Sequence, residues 1–236
     1  MDVWTLISFG PEGWGDDIAR GVLVTLSLAL ATLPFGLVAG FLIALAKQSK
    51  ERPLRLAADI YTTIFRGLPE LLTLFLVYYG AQIGIQLAVH LFNPDANIEI
   101  NSFAAGMIAL GVVFSSYASE VFLSAFRAVP NGQYEGGNAV GLSKTQTMRL
   151  IILPQLIRIA LPGLSNLWLI LLKDTALVSV VGLSDILRQT GVAARVTKEA
   201  FLFFGIACLL YLLLAILSSF AFAAIERWAG KAEFNR

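Results

Sequence analysis

Ionisable side chains interrupt two of the most apolar regions of this chain. Glu120 directly follows an uncharged run from Ile100 to Ser119, and Lys173 and Asp174 together divide a second apolar region. A charge at the centre of a bilayer costs roughly 2.5–3.5 kcal/mol on insertion scales, so such groups usually face a protein interior or a water-filled path. Two interpretations follow. Glu120 and Lys173 could form an ion pair between helices, or these charges could line a path for a zwitterionic solute.

Two uncharged polar residues share helical faces with these charges. Ser116 precedes Glu120 by one turn, and Asn166 precedes Lys173 by two turns. The predicted substrate path therefore comprises Ser116, Glu120, Asn166, Lys173 and Asp174. Its two carboxylates outnumber its single lysine, which favours a solute with a cationic side chain.

Arg66 and Glu70 form a further charged pair near the inner end of an apolar run. On one helix, residues four positions apart lie within reach of each other. We expect a structural ion pair or a contact with a partner rather than a substrate role. Pro69, between them, should disturb the start of the membrane span.

Residues that could carry out covalent chemistry are scarce. His90 is the only histidine and Cys208 the only cysteine, so acid–base chemistry at neutral pH and an intrachain disulfide find little support. No cluster of Cys, His and carboxylates suggests a metal site, and no Gly-x-x-x-x-Gly-Lys-Ser/Thr sequence suggests a nucleotide-binding loop. We expect no catalytic residue, metal or cofactor on this chain. Any work that it does would then draw on an ion gradient or on another subunit.

Long apolar runs must position these residues. The mean hydropathy is +0.76 and only 14% of residues are charged, whereas soluble domains have about 25%. A bilayer core requires about 20 apolar residues in a helix. The sequence predicts an all-α integral membrane protein in which residues 1–236 form one transmembrane domain. Its spans are expected at about 18–46, 60–91, 100–126, 156–182 and 200–226, with a cytoplasmic loop at 128–154.

Basic residues are distributed unevenly between the two sides of these spans. Lysine and arginine accumulate in loops on the cytoplasmic side of a membrane. The predicted inner set is Lys47, Lys50, Arg52, Arg55, Arg66, Arg127, Lys144, Arg149, Arg158, Arg227, Lys231 and Arg236. The predicted outer set is Arg20, Arg188, Arg195 and Lys198. We therefore expect the amino end outside and the carboxyl end inside, and no removable signal peptide, since no basic region precedes the first apolar run.

The cytoplasmic loop contains a polar segment, EGGNAVGLSKTQTMRLIILP. We expect two short helices joined by a hinge, with Asn131 capping the first helix and Gly141 in the left-handed conformation that ends it. Ser143 and Gln146 form a capping box that starts the second helix, and Pro154 should end or kink that helix. The result would be a rigid knob on the cytoplasmic side.

This segment resembles the "EAA" loop of ABC-importer permeases, in which Glu-Ala-Ala is followed at fixed distances by Gly and by Ile-x-Leu-Pro. The matching positions are Glu135, Gly141, Ile151, Leu153 and Pro154, while Gly136 and Gly137 stand where the family usually has alanines. Glycine softens the first helix by about 1 kcal/mol per position but keeps its residues small. The resemblance implies that these seven residues couple the chain to an ATPase subunit, into whose groove the loop docks.

The resemblance extends over nearly the whole chain. Residues 61–80 and 160–187 are similar to permeases of the polar amino-acid uptake, histidine and opine type. This implies a type I ABC-importer permease of a bacterial inner membrane, with a periplasmic amino terminus, that imports polar amino acids, expected to be cationic, or opines. The implied partners are a homologous permease, usually a different chain, an ATPase dimer that binds ATP, and a periplasmic solute-binding protein.

Three alternatives remain open on the sequence. A secondary transporter or channel would work without ATP, and inverted repeats with paired broken helices would favour it, although neither is evident. An intramembrane enzyme would need a catalytic cluster. A scaffold would use the polar loop only to recruit a soluble protein.

Overall fold

The computed structural model describes residues 2–93 and 99–234, with side chains as far as Ala229. Asn97, which we expect in a short outer loop between the second and third spans, lies outside this part. The side chains of Lys231 and Arg236 also lie outside it. Within it, the regular structure is helical. The α-helices are α1 (Val3–Ile7), α2 (Gly15–Lys47), α3 (Arg52–Gly67), α4 (Glu70–His90), α5 (Ser102–Ala128), α6 (Asn131–Ala139), α7 (Lys144–Thr147), α8 (Leu153–Asp174), α9 (Ile186–Thr197) and α10 (Ala200–Phe234). A π-helical segment at Met148–Ile152 joins α7 to α8, and a 3-10 helix at Thr175–Val181 follows α8.

Five helical segments among the described residues are long and apolar enough to cross a membrane. They are α2, α4, α5, the continuous segment Lys144–Val181 and most of α10. The all-α class and the number of spans predicted from the sequence are therefore confirmed. Two bounds differ, because the second span begins only at Glu70, after a break, and the fourth extends back to Lys144.

Helix α5 lies at the centre of the bundle. In its most apolar window 67% of the residues are buried, against 11% for α4 and for α10. Phe114, Phe122 and Phe126 of α5 share the main core with Leu156 and Trp168 of α8. Because apolar side chains of several helices converge on α5, the positions of the charged residues are set mainly by how each helix packs against it.

Helix α3 is a separate element that packs against the middle of α5. The hydroxyl of Tyr61 donates to the carbonyl of Val112 at 3.1 Å and lies 2.8 Å from the hydroxyl of Ser115. Helix α3 ends at Gly67, and the extended residues Leu68–Pro69 lead into α4. Since Val112 is near the midpoint of α5, the break between α3 and α4 lies well inside the bundle.

A second break follows α8, which runs antiparallel to α5. Gly163 packs so closely on α5 that a Cβ there would lie 2.7 Å from Cγ1 of Val121, and Asp174 borders the same small cavity as Leu110. After Asp174 the α-helix changes to the 3-10 helix, which ends at Gly182 with φ of +97°. The second break therefore lies beside the amino-terminal half of α5.

Candidate coupling loop and translocation path

The first part of the polar loop is helix α6 and its hinge. Gly141 follows α6 with φ of +79°, as expected for a left-handed residue that ends a helix, and Leu142 N donates to the carbonyl of Gly137 at 3.0 Å. The expected cap by Asn131 is wrong. Pro130, not Asn131, has the extended backbone of an N-cap, and Asn131 is already helical, so no side chain caps α6.

The second part begins with the expected capping box. Gln146 N donates to Oγ of Ser143 at 3.3 Å, and Ser143 N donates to Oε1 of Gln146 at 2.9 Å. Pro154 does not end this helix, and the expected disturbance takes the form of a π-helical segment directly before it. The chain stays helical from Lys144 onward, with Pro154 in the first turn of α8 directly after the π-helical segment. The wider π turn accommodates the missing N–H and the bulky ring of proline.

The two glycines at the alanine positions differ sharply in their surroundings. A Cβ on Gly137 would lie 2.5 Å from Cγ2 of Thr147, whereas a Cβ on Gly136 would meet nothing within 4 Å. Gly137 thus lets α6 pack directly on α7. Val140 is 74% exposed and Leu150 61% exposed, so the knob carries apolar side chains that the chain itself leaves uncovered.

Glu120 belongs to a cluster of charges that joins three helices. Its Oε1 lies 2.5 Å from Nζ of Lys47 on α2 and 3.3 Å from a guanidinium nitrogen of Arg66 on α3. Lys47 also lies 3.4 Å from Asp59 of α3. The guanidinium of Arg66 stands over the ring of Tyr117, 5.6 Å from its centre. Two cations and two carboxylates therefore neutralise one another at the carboxyl-terminal end of α2.

This cluster corrects two expected pairs. Glu120 pairs with Lys47 and Arg66 rather than Lys173, because Gly163 is the part of α8 that faces this end of α5. Lys173 lies ten residues further along α8, or about 15 Å at 1.5 Å per residue. Arg66 does not pair with Glu70 either, since the break at Leu68–Pro69 ends the helical spacing between them.

The other predicted path residues separate into buried and accessible groups. Ser116 is completely buried and its hydroxyl donates to the carbonyl of Val113 at 2.7 Å. Asn166 and Lys173 are exposed, and Asp174 is partly buried. Asp174 lies within electrostatic range of both Lys173 and Glu70, the first residue of α4. The carboxylates at the two helix breaks therefore lie near each other in the structure. The sequence did not predict this proximity.

One face of α8, called its polar face below, carries polar side chains at intervals along its length, separated by apolar ones such as Ile159 and Ile170. Gln155 and Lys173 are 18 residues apart, which is five turns at 3.6 residues per turn. Arg158 and Asn166 fall within about 80° of the same line. These four side chains are exposed or only partly buried. A polar face on a membrane-spanning helix is expected to meet a partner or a water-filled path rather than lipid.

The polar loop, both breaks and the polar face of α8 fall within one sequence match. Residues 32–231 match the family described as binding-protein-dependent transport system inner membrane component. The chain belongs to this family. As the description states, its members are inner-membrane components, and the five apolar helices agree with multi-pass insertion.

Curated relatives of this permease are similar over nearly its whole length. It is 41% identical to the nopaline transport system permease protein of Agrobacterium fabrum over 232 residues, or 98% of each chain. It is 38% identical to the histidine/lysine/arginine/ornithine transport system permease protein of Salmonella typhimurium, covering 91% of this chain and 94% of that one. These relatives are transport permease subunits, in agreement with the non-enzymatic role expected from the sequence.

A solved structure gives the same assignment. The permease superposes on a chain of an amino acid ABC transporter, crystallised with histidines, with a TM-score of 0.77 and 32% identity, covering 91% of this chain and 94% of that chain. The expectation that the chain is the membrane-spanning permease of an ABC importer is confirmed.

The permease contains two arrangements of candidate functional residues that reading the sequence missed. The nearness of Glu70 to Asp174 could not be read from either segment alone, although Pro69 was a signal that the helix breaks just before Glu70. The polar face of α8 did have a signal. The five-turn spacing of Gln155 and Lys173, with Arg158 and Asn166 between them, is visible in the sequence.

Proposed function

We propose that this permease moves cationic amino acids or opines into the cytoplasm, driven by ATP that a separate ATPase dimer binds and hydrolyses. It would receive solute from a periplasmic binding protein and would pair with a homologous permease chain. The relatives named for nopaline and for histidine, lysine, arginine and ornithine transport support this solute class. The four amino acids of the second name all have basic side chains.

The observation that carries the solute class is the pair of carboxylates at the helix breaks. Glu70 begins α4, Asp174 ends α8, and the two interact electrostatically. Neither takes part in an ion pair among the described residues. Discontinuous helices commonly form solute sites within membrane transporters. Two carboxylates without an ion-pair partner at such a place would favour a solute that supplies the cation.

The remaining polar residues at this level suit the other end of an amino acid. Lys173 adjoins Asp174 and is exposed, and Asn166 lies two turns away on the same exposed face. A solute carboxylate could therefore meet Lys173 while its cationic group meets Asp174 and Glu70. Glu120 and Ser116, both expected on the path, are assigned instead to the support of the bundle, since their partners are residues of this chain.

We assign the coupling to the polar loop. The proposed contacts with the ATPase are Glu135, Gly136, Gly137, Gly141, Ile151, Leu153 and Pro154. The left-handed hinge and the exposed Val140 and Leu150 support this assignment, because a rigid knob with uncovered apolar side chains suits a groove on a soluble subunit. The loop and the carboxyl end would then be cytoplasmic and the amino end periplasmic.

The solute class is tested by uptake into proteoliposomes that contain the complete transporter. Arginine, histidine, glutamate and glutamine would be compared for the wild type, Glu70→Gln and Asp174→Asn. We expect both variants to lose about 10-fold or more of arginine uptake relative to glutamine, since hydrogen bonds to charged groups contribute roughly 1.5–3 kcal/mol. Glu51→Gln, an exposed carboxylate on the cytoplasmic side, is the matched control.

Two outcomes would contradict this proposal. If both variants lose complex yield but keep the ranking of the four solutes, the carboxylates are structural. Uptake that proceeds equally without ATP would instead favour a secondary transporter or channel.

The coupling loop is tested by Gly141→Leu. Leucine in a left-handed conformation costs roughly 1–2 kcal/mol, so the knob should reorient and solute-stimulated ATP hydrolysis should fall several-fold while the chain still inserts. Gly132→Leu is the matched control, because Gly132 has open space around it and no positive φ. Equal hydrolysis in the two variants would remove the hinge from the coupling mechanism.

Orientation is tested by cysteine labelling in a Cys208→Ser background. Cysteines at Lys198 and Thr145, both exposed, should react from opposite sides of the membrane in intact cells and inverted vesicles. Labelling from the same side would rule out the proposed topology.

A further inference from the structure

A groove separates α8 from α10 at the end of the bundle nearest the polar loop. Its volume is about 340 Å³, and its lining consists of Gln155, Arg158, Ile159, Leu161, Pro162, Glu226 and Ala229. Small-molecule sites typically occupy roughly 300–1,000 Å³. The groove is therefore large enough for a molecule of amino-acid size.

Opposite charges face this groove without meeting each other. Arg158 lies on the α8 side and Glu226 on the α10 side, and neither forms an ion pair among the described residues. One oxygen of Glu226 accepts a hydrogen bond from the hydroxyl of Ser165 at 3.1 Å, which links the carboxylate to α8, the helix that also carries Arg158. Arg158 has five N–H donors and no hydrogen-bond partner among the described side chains and carbonyls. The donors of this partly buried guanidinium are therefore available to acceptors on another molecule.

The groove continues the polar face of α8 toward the cytoplasmic side. Arg158 shares that face with Lys173, which lies 15 residues away, or roughly 22 Å at 1.5 Å per residue. This distance exceeds the length of one amino acid, so a single solute cannot contact both the groove and the carboxylates at the helix breaks. Any molecule that followed the polar face inward from Lys173 would reach the groove last.

We infer that this groove is a second, inner binding site for a zwitterion, whose anionic group contacts Arg158 and whose ammonium contacts Glu226. This inference rests on the proposed function, and it assigns the occupant as the imported solute on its way to the cytoplasm. The two fixed charges match the two charges that every free amino acid carries at neutral pH. Gln155, at the inner end of the same face, supplies a further donor and acceptor.

One other molecule has the same chemistry. The headgroup of phosphatidylethanolamine also combines an anion with an ammonium, and the exposed Trp228 near the groove is a residue type that anchors at membrane interfaces. The sequence of α8 favours the solute, because two further polar residues, Asn166 and Lys173, lie on the same side of this helix as Arg158. The experiment must therefore separate a free amino acid from a lipid.

The test measures equilibrium binding of radiolabelled L-arginine to the complete, nucleotide-free transporter in nanodiscs made only of phosphatidylglycerol. The groove variants Arg158→Gln and Glu226→Gln are introduced into Asp174→Asn, so that the carboxylate pair at the breaks does not dominate binding. We expect each groove variant to weaken arginine binding at least 10-fold. Arg227→Gln and Glu51→Gln make the same charge changes at exposed positions outside the groove and should leave binding within about 2-fold.

The conservative variant Arg158→Lys guards against misfolding. It keeps the charge but not the paired donors of a guanidinium, so it should bind arginine with an affinity between those of the parent and Arg158→Gln. Unchanged arginine binding in both groove variants, with wild-type uptake intact, would overturn the inner site but leave the proposed function standing. A wild type that imports none of the four test solutes would reject the proposed function itself.

Lipid is distinguished by quantifying phosphatidylethanolamine that co-purifies from native membranes. The inference predicts equal amounts in the wild type and Arg158→Gln. A large loss of this lipid in Arg158→Gln, without any change in arginine binding, would assign the groove to a lipid headgroup and overturn the solute assignment.

Discussion

Charged residues occur at two places inside this bundle that differ in how they are neutralised. At the carboxyl-terminal end of α2, Glu120 contacts Lys47 and Arg66, so the cluster is neutralised by residues of one chain. At the helix breaks, Glu70 and Asp174 lie near each other and neither has an ion-pair partner among the described residues. The comparison teaches that a charge within an apolar span is not in itself a sign of solute binding. The partners decide which charges hold helices together and which remain available to a ligand.

The largest effect should come from removing the cation at the centre of the cluster. Lys47→Met leaves Asp59 and Glu120 with only Arg66, and the side chain of Lys47 is just 7% exposed. We expect a loss of about 2–3 kcal/mol in stability, below the roughly 3–5 kcal/mol for a fully buried pair, because the side chain of Glu120 is 32% exposed. The melting temperature of the purified complex measures this loss. Lys50→Met, at an exposed position nearby, is the control.

The companion variant Glu120→Gln separates support from transport. If the cluster only holds helices, Glu120→Gln should lower the melting temperature while the ranking of arginine, histidine, glutamate and glutamine stays the same. A changed ranking at normal complex yield would return Glu120 to the substrate path and break the comparison.

An intermediate effect is expected at a third carboxylate, which lies outside the membrane-spanning segments. Asp185 is completely buried, caps α9 through a 2.9 Å bond from Arg188 N, and accepts a 3.4 Å bond from the hydroxyl of Tyr211. Burial raises the pKa of Asp185 from the ordinary 3.8 to about 6. The folded chain therefore binds an extra proton between these values. The contribution of Asp185 to the free energy of unfolding is fully present below about pH 4. It falls by about 2–3 kcal/mol as the pH rises through 6.

Asp185→Asn tests this pH dependence. Asparagine is as good an N-cap as aspartate but has no charge, so the variant should melt at a higher temperature than the wild type at pH 7.5. The wild type should gain stability on acidification from pH 7.5 to pH 5 because Asp185 binds a proton. The variant should lack this part of the gain in melting temperature. Asp185→Ala, which removes the cap, should lose about 0.5–2 kcal/mol relative to Asp185→Asn. Identical pH profiles of Asp185→Asn and the wild type would show that this carboxylate is not the titrating group.

The smallest effect should come from Arg66→Lys. The side chain of Arg66 is 45% exposed, and it combines one ion pair with a contact over the ring of Tyr117. Lysine keeps the charge but loses the planar stacking, and exposed pairs contribute about 0–1 kcal/mol. We expect a loss below about 1 kcal/mol in the same melting assay, with Arg55→Lys as an exposed control. A loss larger than that of Lys47→Met would make Arg66 the centre of the cluster instead.

Much of the fold could be predicted because it depends on local sequence. Long apolar runs define the five spans, Ser143 and Gln146 lie at the spacing of a capping box, and the glycine at position 141 indicates a left-handed turn. Each of these features depends on residues close together in the chain. The position of Asn131 was misjudged by one residue, which is enough to move it from the cap into the helix.

The charge partners could not be predicted because they depend on how helices pack. Periodicity shows which face of α5 carries Glu120, but not that Lys47 and Arg66, from two other helices, would reach that face. Lys47 was counted among cytoplasmic loop charges, yet its ammonium is buried at the end of α2. The same limit hid Glu70 from the substrate path, since its neighbour Asp174 is more than a hundred residues away in sequence.

The unbroken helical course from Lys144 to Asp174 gives the molecule a mechanical lever. It packs tightly on α5 at Gly163, against Val121. At 1.5 Å per residue, the arm from Gly163 back to Lys144 is about 28 Å long and the arm forward to Asp174 is about 16 Å. If the helix tilts about Gly163 as a fulcrum, a displacement of the loop by a docked ATPase would reach Asp174 reversed in direction and reduced to roughly three-fifths. The ATPase would then move Asp174 by less than it moves itself, and with correspondingly greater force.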